Sequence, residues 1–309
     1  MLTRRPSFHG IAKIVLAVLT ALCSTVYLHA QEPAGADTLW KYNGTMSLNF
    51  SQLALSNWAA GGENSLAGNA LVQLSGDYDN GKTVWDNDLV IGYGLIRQGD
   101  DPTRKSDDRI DLSSKFGQRA TEKWLYTALL GFRTQFTEGY DKPGETDRTK
   151  ISNWMAPGYL NLSLGMDYRP DDHFAVLLAP LAGKATFVLD EDLSAQGTFG
   201  LDPDQTVRGE FGGYVKLSYQ NEILKNVFLD TKVDLFSNYL DRPQDIDVNW
   251  DLLLNFVVNE YLSAKLSTQL IYDKDIQFGS DTTGDGELDT FEPRVQFKEL
   301  FGLGLTFTF

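Results

Sequence analysis

Cysteine is nearly missing from this chain, and histidine is scarce. Cys23 is the single thiol, and His9, His29 and His173 are the three imidazoles. Cys23 and two of the histidines fall in the first thirty residues. There a basic pair (Arg4, Arg5) precedes an apolar stretch, Ile11 to Val26, broken by Lys13, and Leu28-His29-Ala30 offers a cleavage site before Gln31. That order is the layout of an export signal, so residues 1–30 are expected to be removed. The stretch is too short and interrupted for the roughly 20 apolar residues that a membrane-spanning helix needs. The exported chain is then expected to have no disulfide, no thiolate nucleophile and no cysteine metal site. It keeps only His173 as an imidazole base, in a turn rather than at a rim, which disfavours a Ser-His-Asp hydrolase. The neighbouring acids Asp107-Asp108 and Asp171-Asp172 read as solvated charge rather than a general acid–base couple. No enzymatic activity is expected.

Positive charge is also in deficit. The whole chain has a net charge of −15, with 27 basic and 42 acidic residues. Without Arg4, Arg5 and Lys13 the balance is −18. Nucleic-acid binding is not expected, because phosphate neutralisation needs a basic face. Pro- or Ser-rich linkers are missing too, so residues 40–309 read as one domain behind a short segment, 31–39.

Helical periodicity is nearly absent, and alternation takes its place. The last fifteen residues, VQFKELFGLGLTFTF, set Phe301, Leu303, Leu305, Phe307 and Phe309 on one face and Gly302, Gly304, Thr306 and Thr308 on the other. Strands of this kind are expected near 40–52, 66–78, 83–97, 106–118, 123–137, 158–169, 174–189, 207–220, 226–240, 245–258, 261–274 and 295–309. The seventh is the least clear, since Phe174 to Leu181 is almost wholly apolar. Every second connection is short, and the others are longer and rich in Gly, Asp and Pro, notably 138–157, 190–206 and 275–294. Short periplasmic turns facing long external loops characterise outer-membrane barrels. A bilayer core offers the backbone no water, so strands cross it only as a closed ring. The fold expected is all-β: a transmembrane antiparallel up-and-down β-barrel of about twelve strands, with ten or fourteen as alternatives. Both termini would be periplasmic and the location the bacterial outer membrane. The implied partners are membrane lipid, lipopolysaccharide and, through the strand ending in Phe309, the barrel-assembly machinery.

Alternation also assigns an interior. The candidate lumen-lining residues are Lys41, Asp86, Asp88, Arg109, Asp111, Lys115, Arg133, Lys232, Asp234 and Asp251, within a wider inward set that includes Lys216, Lys265 and Lys298. Such charges either pair across strands and fill a narrow lumen or form a ladder that selects a small solute. Neither sign dominates, so the solute's charge is not specified. Two loops add candidates. In DTTGDGELDTFE, Asp281, Thr283, Asp285, Glu287, Asp289 and Glu292 have the spacing of a calcium loop with Gly286 at its sharp turn. Thr283 in the third place and strand-like flanks depart from the EF-hand, and a solvated acidic loop tip is the alternative. In SNWAAGGENS, Trp58 and Asn64 are candidate ligand contacts at the lumen mouth; the alternative is a hairpin tip with Gly61-Gly62 for positive φ.

With these residues named, the chain resembles a family of outer-membrane proteins of the Bacteroidota catalogued as a domain of unknown function. The stretches are NWAAGGENS (57–65), SDDRIDLSSKFG (106–117), TQFTEGYD (134–141), LAPLAGKATFVLD (178–190), GTFG (197–200), DVNWDL (247–252) and VQFKELFGLGLTF (295–307). The resemblance implies an exported barrel and supplies no catalytic residues. Two functions are therefore expected: a narrow channel or small-solute uptake barrel, or a non-conducting structural barrel whose acidic external loops bind calcium and envelope partners.

Overall fold

The computed structural model describes residues 39–55, 63–141, 148–280, 282–283 and 289–308. The expected signal, nearly all of 31–39, Trp58 and Phe309 lie outside the described residues. The unit Trp40–Phe309 contains a closed antiparallel barrel of twelve strands. These are β1 (Trp40–Leu53), β2 (Ser65–Asp79), β3 (Thr83–Gln98), β4 (Arg104–Arg119), β5 (Trp124–Thr134), β6 (Gly158–Tyr168), β7 (Phe174–Phe187), β8 (Val207–Leu224), β9 (Val227–Asn238), β10 (Ile246–Val257), β11 (Leu262–Tyr272) and β12 (Gln296–Thr308). Each pairs with its neighbours in sequence, and β12 closes on β1. Twelve is the strand number that alternation predicts.

The side chains are sorted as in a barrel turned inside out. On β12, Phe297, Phe301, Leu303, Leu305 and Phe307 are between 45% and 61% exposed on the outer face. Polar side chains are buried inside: Ser47, Asp167, Ser263 and Lys265 are all 5% exposed or less. A water-soluble monomer rarely exposes an apolar surface this continuous. Aromatic rings gather at the rim of the short turns. Trp40 stacks on Tyr42 at 5.8 Å and meets Tyr78 at 5.3 Å and Trp85 at 5.6 Å, and Trp124 meets Tyr168 at 4.8 Å. The turns themselves are built locally. In the β2–β3 turn Gly81 has φ +82°, Asp79 accepts its N–H, and Asn80 accepts the N–H groups of Lys82 and Thr83.

Two departures from plain alternation have visible causes. β5 ends at Thr134 rather than near 137, because the Asp108 carboxylate accepts the N–H groups of Phe136 (2.7 Å) and Thr137 (3.0 Å) and draws the chain out of the ladder. β7 bulges around Pro180, which has no partner in the register with either β6 or β8; proline has no N–H to give to a ladder. The bulge lets Ala179 and Ala182, three apart, both turn inward while Leu178 and Leu181, also three apart, both stay exposed outside, so this strand reads as one apolar run.

At the opposite rim the long loops carry a small core of their own, made of Ala156, Val188, Leu193 and Leu201 with Phe199 packed against it. It includes a one-turn helix, α1 (Glu191–Ala195), that alternation does not predict. Asp190 caps it, accepting from the N–H groups of Asp192 and Leu193, with acidic residues in the first turn.

Candidate functional site: a charged luminal cavity

Alternation sends every second residue of each strand inward, but the closed register decides which of them meet. Asp111 on β4 lies directly opposite Arg133 on β5, and its Oδ2 accepts from Nε at 3.0 Å and from an Nη at 2.6 Å. The same guanidinium reaches Asp251 of β10 at 3.4 Å, and Arg109 of β4 approaches Asp251 at 3.7 Å. β4 and β10 stand six places apart in either direction around the ring, so this is a bridge between opposite walls. Asn249 donates to Asp251 (3.2 Å) and to Asp234 (3.4 Å). Asp234 also accepts from the Tyr214 hydroxyl at 2.6 Å and pairs with Lys216 at 3.7 Å.

Two further charge clusters flank this one. Towards the short turns, Lys115 meets Asp167 at 2.9 Å, and Arg169 bridges Asp167 (2.7 Å) to Asp86 (2.6 Å). Towards the long loops, Lys184 holds Asp247 (2.6 Å), Asp273 (3.2 Å) and Glu210 (3.6 Å).

A cavity of about 660 Å³ lies along the bridge. Arg109, Asp111, Arg133, Asp234 and Asp251 line it, together with Asp88 and Lys232, which make no ion pair within 4.0 Å among the described residues. Ile151, Phe199 and Phe278 contribute an apolar roof from the long loops. Arg109 Nε and the side-chain carbonyls of Asn161 and Asn249 are buried at this cavity with no hydrogen-bond partner. Buried polar groups are normally satisfied, so these atoms suit a polar occupant.

The expected lining residues thus divide. Asp88, Arg109, Asp111, Arg133, Lys232, Asp234 and Asp251 meet at one cavity, whereas Asp86 and Lys115 belong to the cluster near the short turns. Lys41 is exposed at that rim, opposite Asp77, and does not line the cavity. Arg169 follows β6 in a turn, and Tyr159, the second residue of that strand, lines the cavity; neither stands out in sequence, because only the register places them.

The two loop candidates are only partly described. Asn64 accepts from the Leu55 N–H at 2.6 Å and its carbonyl accepts from Gly99 at 2.7 Å, clasping the base of the first long loop. Asp281, Asp285 and Glu287 lie outside the described residues. Of the others, Asp289 accepts from the N–H groups of Thr282 (2.8 Å) and Thr283 (3.0 Å), bonds that hold its carboxyl below the usual aspartate range. Glu292 pairs with Phe278 in a small hairpin, Gln277–Ser280 with Thr290–Pro293. His173 sits in the β6–β7 turn with Nδ1 3.1 Å from the Gln220 carbonyl.

Residues 50–140 match the model of a family described as a protein of unknown function, DUF3078. The resembling stretches beyond residue 141 fall outside that match. No curated protein matches the chain. Solved structures with a similar strand arrangement include an outer membrane channel from Pseudomonas putida F1, with 12% identity, coverage of 90% of this chain and 100% of that one, and a TM-score of 0.39. The translocator domain of the autotransporter NalP from Neisseria meningitidis has 11% identity, covers 97% and 98%, and scores 0.37. Outer membrane phospholipase A from Escherichia coli has 14% identity, covers 89% and 94%, and scores 0.30.

Proposed function

We propose that this protein is a bacterial outer-membrane barrel, with both termini periplasmic, that passes small polar solutes through a lumen constricted by ion pairs. The membrane reading rests on the apolar outer face, the aromatic rim and the sorting of short turns from long loops. The channel reading rests on one observation: the Arg109/Arg133–Asp251 bridge spans opposite walls beside a cavity that contains unpaired charge and unsatisfied polar atoms. Ion pairs at 3.4–3.7 Å that retain some solvent contact are cheap to exchange for pairs with a passing solute. Conductance of the refolded protein in a planar bilayer tests it. Small unitary steps are expected, and Asp251→Asn, which removes the charge both arginines share, should enlarge them about twofold. A folded barrel that stays silent in both forms overturns the channel.

The same bridge, held shut, favours the second reading: a non-conducting barrel that acts through its acidic loop 281–292. In that case calcium should raise the thermal midpoint of the barrel and a chelator should lower it, with Asp289→Asn removing the difference.

A further inference from the structure

The β1–β12 junction is the shortest ladder in the ring. Among the described residues it runs only from Thr45↔Thr308 to Phe50↔Leu303. β1 continues to Leu53 and β12 begins at Gln296, so both strands are present beyond that point without pairing. Among the described residues, β12 is paired over Gln296–Gly302 with β11 alone, and β1 over Ser51–Leu53 with β2 alone. Below the split the two walls are stitched: Lys265 donates to Ser47, and Thr306 bonds Ser263 at 2.6 Å and Ser47 at 3.5 Å. The split is therefore confined to the half of the barrel that faces the long loops.

Unpaired peptide groups are not tolerated against hydrocarbon, and the split carries polar residues on both sides of the wall, with the exposed rings of Phe297 and Phe301 flanking Glu299 outside. Outside, Gln52 and Glu299 are exposed, in register with the outward faces of Phe50 and Phe301. Inside, Gln296 and Lys298 line the luminal cavity. The Lys298 side chain is 42% exposed and crosses from β12 to β4, where it meets Asp107 at 2.8 Å. Two residues along the same face of β4 is Arg109, with its unpartnered Nε.

We propose that the split is a lateral port between the luminal cavity and the outer leaflet, and that it takes a single-chain amphiphile with a zwitterionic head. The anionic group would replace Asp107 on Lys298, the cationic group would meet Glu299, and the chain would lie in the membrane along Phe301 and Leu303. This rests on the membrane-barrel reading above and is independent of whether the axial path conducts.

The probe is lysophosphatidylcholine, read as bound adducts by native mass spectrometry of the full protein in an uncharged maltoside detergent. One adduct per barrel is expected, and Lys298→Gln and Glu299→Gln should each reduce it about fivefold. Free phosphocholine should not compete, and dodecanoate and dodecyltrimethylammonium should compete weakly. A second variant, Gln52→Cys with Phe301→Cys in a Cys23→Ser background, pairs the positions that would face each other if the ladder continued. Its disulfide should abolish the adduct, and reduction should restore it. Spin labels at the same two positions should report a separation wider than that of paired strands. Adducts that survive the disulfide, equal binding of all three head charges, or a paired-strand distance between the labels would each overturn the port. Gel mobility with and without heating shows whether each variant is a folded barrel, and loss of that shift in the unmodified protein would count against the membrane reading instead.

Discussion

Lys150 holds the long-loop cap together. Its ammonium meets Asp190 at 2.9 Å and Asp192 at 2.7 Å, and Asp190 also takes a bond from Asn153 at 2.8 Å. Burial pushes the Asp190 carboxyl up, but the bonds from Asn153, Lys150 and the Leu193 N–H outweigh it and hold the group below the ordinary value of 3.8. The bonds to Asp192 and Asp190 raise Lys150 above its ordinary 10.5. The contribution of Asp190 is thus full above pH 3.8 and fades as pH falls through its depressed value, while that of Lys150 persists to 10.5 and fades as pH rises through its elevated one. Within that window the clasp is closed. Asp190→Asn should loosen it at neutral pH, seen as about threefold faster tryptic cleavage at Arg148 and Lys150. An unchanged cleavage rate would mean that the loop core, not the ion pairs, holds the cap. None of this clasp is legible in the sequence: its acids, on a loop, carry no period, and the capping Asp190 with Glu191 and Asp192 behind it is the only local sign of the helix.

At the scale of the strand, the alternation of side chains is visible wherever one face is apolar and the other polar, which holds for eleven strands of the ring. β7 is the exception, for a physical reason: its bulge at Pro180 changes the phase halfway, and no rule of period two survives a residue that leaves the ladder. The bulge also crowds β6. A Cβ on Gly165 would lie 2.0 Å from the Leu178 carbonyl oxygen, whereas one on Gly209 of β8 would meet nothing within 4 Å. Gly165→Ala should therefore cost about 1–3 kcal/mol of stability, or prevent folding, because a backbone must move. Gly209→Ala should be neutral or slightly stabilising. Denaturant midpoints of the two variants, in the same lipid, decide between this account and a general intolerance of substitution. The luminal site is half-legible for a related reason. The sequence tells which residues face inward, but which of them meet depends on the register of twelve ladders, so Arg133 and Asp251, 118 positions apart, become neighbours only in the closed ring.

The barrel is asymmetric from end to end. The connections 80–82, 120–123, 169–173, 225–226 and 258–261 are tight, while 135–157, 188–206 and 273–295 are long and studded with carboxylates. Polar surface must shed its water to enter hydrocarbon, and charge most of all. A barrel added to preformed vesicles from outside therefore has a direction of travel: the end with little to dehydrate leads, and the other stays behind. Refolded into preformed vesicles, nearly every copy should keep its long loops outside, where added trypsin reaches them; cleavage of only half would mean that the two ends are equivalent passengers. An order of loop lengths written along the chain thus becomes a polarity in space, and on the proposed topology a chain that meets the membrane from the periplasm must carry its costlier end across, which is work for assembly machinery.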